Sequence, residues 1–214
     1  MIGGGGLGGP YCWNIVRMGI GYLVICDPDF VELSNLSRQF FYKDQTGTNK
    51  ALALAENLKR ECTGETTVEA YPYSFERLVV EYPSTLVGVD LIVCLVDNDE
   101  TRHYASEYGL ANDIPVIFSA ISRTSLNGYV FVQQKDGPCY NCVKPENVDN
   151  EKHECAAPTA IYTHATAMGI ATYACISLIH GSPLMWNWYE LVLDADSFVL
   201  NRPNRVDCEI CGGK

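Results

Sequence analysis

The chain is short of positive charge. Its 214 residues include 15 Lys and Arg against 26 Asp and Glu, a formal net charge of −11. Non-specific nucleic-acid binding draws on a basic surface, so this balance argues against it. Long apolar runs are missing as well. None reaches about eighteen residues without a polar interruption, and no membrane-spanning helix is expected. The opening residues do not combine a basic end with an apolar stretch, as a secretory leader would. A cytoplasmic protein is therefore expected. Internal repeats and low-complexity tracts are also absent. What remains is 47% hydrophobic and 19% charged, the composition of a globular domain large enough for one good core. A single domain spanning 1–214 is expected, with a nucleotide-binding half (1–126) and a second half (127–214).

Glycine is plentiful where it matters. Gly3, Gly5 and Gly8 satisfy G-x-G-x-x-G, and Gly4 and Gly6 fill the gaps. Such a turn lets the backbone approach phosphate and packs the next helix closely on the sheet. Alone it is a weak signal. Context strengthens it, because residues 22–26 read as a buried parallel strand that ends in Asp27, about twenty residues on, where an acid binds ribose. A strand normally precedes this turn, yet only Met1 and Ile2 do so here. The expectation is a further upstream segment, or another part of an assembly that supplies the central strand.

The alternation continues in order. A helix is expected over 10–18, another over 49–62 capped by Asn49, and a strand over 67–71. A strand over 90–96 is followed by a helix over 101–112 and a strand over 115–120. This βαβα order predicts a doubly wound, mostly parallel sheet of the Rossmann-like α/β class. Beyond it the pattern changes to antiparallel: a strand over 127–134, a long helix over 159–180, and a hairpin pairing 189–192 with 197–200.

There are ten cysteines, four of them in two C-x-x-C pairs, Cys139/Cys142 and Cys208/Cys211. Four thiolates make a closed tetrahedral zinc site, which is structural because no ligand position stays open. Two redox dithiols or two disulfides are the alternative. Cys26 and Cys94 lie in apolar strand runs and Cys12, Cys62 and Cys175 in helical ones, and most of them read as small core residues.

The run Gly3-x-Gly5-Gly6-Leu7-Gly8, Asp27-x-Asp29, Ser34-Asn35-Leu36-x-Arg38-Gln39, Lys50, Asp97-Asn98-x-x-Thr101-Arg102, with the two C-x-x-C pairs, resembles the ThiF/MoeB/ubiquitin-activating enzyme superfamily. The resemblance covers nearly the whole chain in order. It implies adenylation of the C-terminal glycine of a ubiquitin-like or sulfur-carrier protein, using ATP and Mg2+, with Zn2+ at the thiols. By the same resemblance Arg38 and Lys50 neutralise the phosphates, Gly6 admits the nucleotide, Asp27 and Asp29 lie at its ribose side, and Asn35 faces the phosphates. Asp97, with Asn98 beside it, holds magnesium. Cys155 carries a thioester or sulfur link. A homodimer or larger activating complex is implied, and a downstream conjugating or sulfur-transfer enzyme as a further partner. The family's N-terminal helical segment, whose Arg reaches a neighbouring subunit's ATP, is not in the sequence as it stands.

Plainer readings stand beside these. Asp29 reads equally as a loop cap, Asn98 and Thr101 as helix caps, and Arg102 as a solvated helix charge. Cys155 also reads as a spare loop thiol, and His164 as a helix-surface histidine. Arg123 follows the fifth strand and is a positional candidate for meeting the carrier's tail. A dinucleotide-dependent oxidoreductase would leave Arg38, Lys50 and the thiols without a role. A catalytically silent scaffold that binds the carrier is the other rival.

Overall fold

In the computed structural model, residues 1–122, 124–144 and 161–212 are described. The elements run α1 (Gly8–Arg17), β1 (Tyr22–Cys26), α2 (Lys50–Lys59), β2 (Thr67–Tyr71), α3 (Phe75–Glu81), β3 (Ile92–Cys94) and α4 (Asp99–Ala111). They continue with β4 (Val116–Ile121), β5 (Asn127–Gln133), the short α5 (Tyr140–Val143), α6 (Ile161–Ile179), β6 (Trp188–Val192) and β7 (Ser197–Asn201).

Strands β1 and β2 pair in parallel, as do β3 and β4. From β4 onward every pairing is antiparallel. The expected change of character near residue 127 is thus the change of strand direction. The two groups meet through Met1 and Ile2. Ile2 bridges Cys26 on one side and Cys94 on the other, both in parallel. Its N–H donates to the Val93 carbonyl at 2.8 Å, and the Gly3 N–H donates to Cys26 at 2.9 Å. Two residues therefore occupy the central strand position directly before the glycine turn.

The strand expected over 90–96 is cut to Ile92–Cys94. It is buried throughout, and hydrogen bonds to Ile2 and to Pro115 fix it on either side. Beyond it Val96 to Asp99 turn out toward α4. Helix α1 starts at Gly8, two residues earlier than expected, because Pro10 needs no N–H partner in a first turn.

Helices α1, α2 and α6 cover one face. Their core includes Tyr11, Leu54, Leu58, Met168 and Ala171. On the other face Phe75, Leu78, Phe118, Phe131 and Tyr140 form a second core under α3 and α4. The buried Leu, Met and Phe side chains among these contribute about 1.5–3 kcal/mol each. None of the described helices is long and apolar enough to cross a membrane.

Candidate nucleotide site and thiol cluster

The glycine turn sits where the parallel strands end. Gly3 has φ +89°, and a Cβ there would lie 3.2 Å from the Leu95 carbonyl oxygen. At Gly8 the demand is stronger still: an added Cβ would lie 2.0 Å from the Gly3 carbonyl oxygen. The first glycine thus makes the turn, and the third lets α1 close onto it.

Asp27 anchors this turn from below. It is 5% exposed. Its Oδ2 accepts from the Gly4 N–H at 2.6 Å and its Oδ1 from the Asp29 N–H at 2.8 Å. Burial pushes its pKa up, against the pull of those N–H groups and Lys50. Asn49 ties the next element in. Its Oδ1 caps α2 by accepting from Leu52, while its Nδ2 donates to the Asp27 and Asp29 carbonyls at 2.8 and 3.0 Å. The sequence marked Asn49 only as a cap, yet it fixes Lys50 against the turn. The Lys50 side chain is 12% exposed and its Nζ pairs with Asp29 Oδ2 at 2.8 Å. Asp29 is therefore more than a loop cap, since it holds the ammonium in place.

The loop over Leu33–Ser37 closes the other side. Asn35 is buried and its Oδ1 accepts from the Glu32 N–H, so it shapes this loop from within. Arg38 donates from Nη1 to the Ser34 carbonyl at 3.1 Å. Its Cγ lies 3.9 Å from the place a Gly6 Cβ would take. Gln39 Nε2 approaches Gly5 in the same way at 3.7 Å, and Gln39 Oε1 is buried with no hydrogen-bond partner among the described residues. Gln39 stood in the sequence signature without a role of its own.

Asp97 follows β3 and is exposed beside the turn, since Leu95 and Val96 both pack on Gly3. Asn98 is the N-cap of α4: its Oδ1 accepts from the Thr101 N–H at 2.8 Å. Two expectations need correcting. Arg102 is not a solvated charge. It is 8% exposed, donating to Asp99 Oδ1 and the Val96 carbonyl, both at 2.6 Å. His164 is not a surface histidine either. It is 5% exposed, and it fills the space above Gly6. The periodicity of α6 could not reveal this, because the helix carries no Asp, Glu, Lys or Arg to mark an outer face. Cys155 and Arg123 lie outside the described residues.

At the far end of α4 the four motif cysteines converge. Their Sγ atoms all lie within 4.8 Å of one another. The separations are 3.7 Å for Cys139–Cys142, 3.6 Å for Cys139–Cys208 and 3.5 Å for Cys142–Cys211. Four sulfurs about 2.3 Å from one zinc stand about 3.8 Å apart, so the donor set fits a tetrahedral zinc ion. Burial pushes the Cys139 thiol up. Cys208 is held down to about 6 although burial opposes it, through N–H groups of Cys211 and Ile210 and the Asn141 side chain. A thiolate at this position is the form a metal binds. A cavity of about 590 Å³ opens beside Cys211 and Arg205, away from the glycine turn.

A model of the ThiF family matches residues 1–187. The SAMP-activating enzyme E1 of Haloferax volcanii is 30% identical over 222 residues, which cover 99% of this chain and 79% of that protein. The adenylyltransferase and sulfurtransferase MOCS3 of Caenorhabditis briggsae is 32% identical over 150 residues, 70% of this chain but only 37% of that one. Among solved structures, E. coli MccB with MccA-N7isoASN superposes with a TM-score of 0.82 at 21% identity, over 99% of this chain and 66% of the other. That likeness is one of fold. With its family model matched over most of its length and the resemblance read from its motifs thereby borne out, the chain belongs to the ThiF family.

Proposed function

We propose that this chain activates the C-terminal carboxylate of a small ubiquitin-like or sulfur-carrier protein by adenylation with ATP. A carboxylate oxygen attacks the α-phosphorus. The bond from that phosphorus to the bridging oxygen breaks, and pyrophosphate leaves with the electron pair. The names of the relatives, an activating enzyme and an adenylyltransferase, support this chemistry.

The observation that carries the reading is that two cation-bearing residues from separate elements flank one glycine turn, the Arg38 stem at Gly6 and the Lys50 backbone at Gly4. Arg38 comes from the loop after β1, Lys50 from the first turn of α2. An anion attacking a polyanion needs its charge neutralised in the transition state. The guanidinium can bridge two phosphate oxygens, while the ammonium acts as a point charge. Pairing with Asp29 does not exhaust Lys50, because an ammonium carries three donors. Gln39 Oε1, which has no partner among the described residues, suits a nucleotide hydroxyl or amine. Asp97 offers the hard oxygen that magnesium requires at the strand ends, and magnesium would there offset phosphate charge. The work takes place in the cytoplasm, in a homodimer or a larger activating complex, and passes to a conjugating or sulfur-transfer enzyme.

The test is ATP–pyrophosphate exchange with a small protein ending in Gly, recovered by pulldown. Exchange should depend on that protein. Arg38→Ala and Lys50→Met should each lower it about 10²-fold or more, and Asp97→Ala should abolish it at ordinary magnesium. Partner binding without any exchange would replace this reading with that of a scaffold.

A further inference from the structure

After β3 the chain leaves the sheet. The Leu95 N–H still donates to the Ile2 carbonyl at 2.9 Å. Asn98 then caps α4. Val96 and Asp97 span the gap, and neither belongs to a strand or a helix. A side chain from α4 holds this step. Arg102 Nη2 donates to the Val96 carbonyl at 2.6 Å. That carbonyl and the Asp97 nitrogen lie in one planar peptide unit. A bond to its oxygen therefore fixes the plane from which the Asp97 Cα leaves.

The guanidinium is itself held. Its Nη1 donates to Asp99 Oδ1 at 2.6 Å, and the Tyr140 hydroxyl donates to the same oxygen at 3.0 Å. Tyr140 is fully buried and stands between Cys139 and Cys142 of the thiol cluster. Its backbone N–H donates to Gln133 Oε1 at 3.0 Å, and its ring meets His103 of α4 edge to face. The thiol cluster thus sets Tyr140, Tyr140 sets Asp99, and Asp99 sets Arg102.

Stability alone gives a poor account of Arg102. It is 8% exposed, and a guanidinium taken out of water carries a desolvation penalty that an ion pair often fails to offset. Apolar side chains of like volume commonly serve a fold as well or better. What they cannot do is tie two acceptors at fixed angles, as the planar fork does. The acceptors here are the carboxylate that opens α4 and the peptide that carries Asp97. Asp97 is exposed at the carboxyl end of a parallel strand, beside Gly3. A hard oxygen at that place can meet a nucleotide-bound cation, and the groups behind such a carboxylate set its direction.

We propose that Arg102 is a positioning residue: it orients the Asp97 carboxylate for the magnesium ion that accompanies ATP, and the thiol cluster fixes it in turn through Tyr140. This rests on the adenylation reading, in which Asp97 holds the ion. Arg102 acts through Asp97 and touches neither nucleotide nor carrier.

ATP affinity of the whole chain, measured by calorimetry without added magnesium and at saturating magnesium, tests it. The ratio of the two affinities is the magnesium gain. Arg102→Lys keeps the charge and loses the fork. It should lose most of the gain while the affinity without magnesium stays as in wild type. The magnesium needed for half-maximal ATP–pyrophosphate exchange should rise about 10-fold or more, with the KM for the carrier unmoved. Tyr140→Phe leaves Arg102 and Asp99 in place and should shift both readings the same way by less. In an Asp97→Ala background, Arg102→Lys should change the gain no further, because its effect passes through that carboxylate. If Arg102→Lys fails to fold, Asp99→Asn removes the anchor, keeps the guanidinium and should give the same signature. Equal gain in wild type and the Lys variant overturns the proposal and leaves adenylation intact. So does affinity lost equally with and without magnesium, the mark of a general defect, or a further loss in the Asp97→Ala background. An unmoved Tyr140→Phe chain overturns the link to the thiol cluster. A wild type with no magnesium gain, or an Asp97→Ala chain that keeps the whole gain, overturns the place of Asp97 as well.

Discussion

The Tyr140 hydroxyl lies 3.0 Å from Asp99 Oδ1. Tyr140 stands between Cys139 and Cys142, and Asp99 opens α4. The same hydroxyl is 2.9 Å from that of Tyr129, and Asp99 Oδ1 also receives Arg102. Burial works against the Asp99 carboxylate, but the Arg102 hydrogen bond and charge outweigh it and hold its pKa below the usual value. Arg102 then reaches the Val96 carbonyl, next to Asp97. A continuous set of polar contacts thus links the thiol knuckle to the end of β3.

Tyr140→Phe removes one end of this chain while leaving the ring packed against Phe118. The expected loss is about 1 kcal/mol of stability, the typical worth of one hydrogen bond. It should appear as a lower urea midpoint with an unchanged slope. An unaltered midpoint would mean that the network carries no net stability.

The thiol cluster leads to a second expectation. Purified chain should hold one zinc ion. Stripping it with a chelator should lower the melting midpoint by more than about 5 °C, since the ion ties Cys208 and Cys211 to the segment after β5. Cys208→Ser should lose the metal as well. A chain whose cysteines are found as two disulfides, with no zinc, would reverse this assignment.

Asp27 gives a pH signature with a definite sign. Its pKa is raised above the ordinary 3.8 in the folded chain, chiefly by burial. The folded state therefore binds this proton more tightly than the unfolded one. Its contribution to stability is full below 3.8 and is lost as pH rises through the raised folded value. Other carboxylates titrate nearby, so the difference between wild type and Asp27→Asn is what must be read. Wild type should lose stability relative to the variant on going from about pH 4 to pH 7. A flat difference, or one of the opposite sign, would show that the backbone N–H groups of Gly4 and Asp29 fully offset the burial.

How legible was all this in the sequence? Strands β1 and β2 fell on their expected residues because each is a local apolar or β-favouring run bounded by turn residues. Strand β3 is shorter than its apolar run, since the chain turns out toward α4 after Leu95. Motif order alone singles out Arg38 and Lys50 as candidates. Their neighbours are not singled out. Asn49 looks like any N-cap until it is seen bonding two carbonyls of the Asp27 loop. Arg102 and His164 depart from their plain readings for one reason: local pattern gives the face of a helix, while burial is decided by elements distant in sequence. Here those elements are Tyr140 for Arg102 and Gly6 for His164.

The glycines of the turn are not equivalent, which makes a final test possible. At Gly8 a methyl would lie 2.0 Å from the Gly3 carbonyl oxygen, and no side-chain motion can relieve a clash with backbone. At Gly5 the nearest atom to an added methyl is Gln39 Nε2 at 3.7 Å, an ordinary contact. Gly8→Ala should therefore force α1 away from the turn and cost at least the 1–3 kcal/mol or so typical of overpacking. Gly5→Ala should fold within about 0.5 kcal/mol of wild type. If Gly5→Ala nevertheless loses ATP binding, the space at Gly5 is needed by the nucleotide and not by the fold. Thermal melts read alongside ATP titrations separate the two causes. Equal destabilisation by both changes would mean that the close approach of α1 to the turn does not hold in solution.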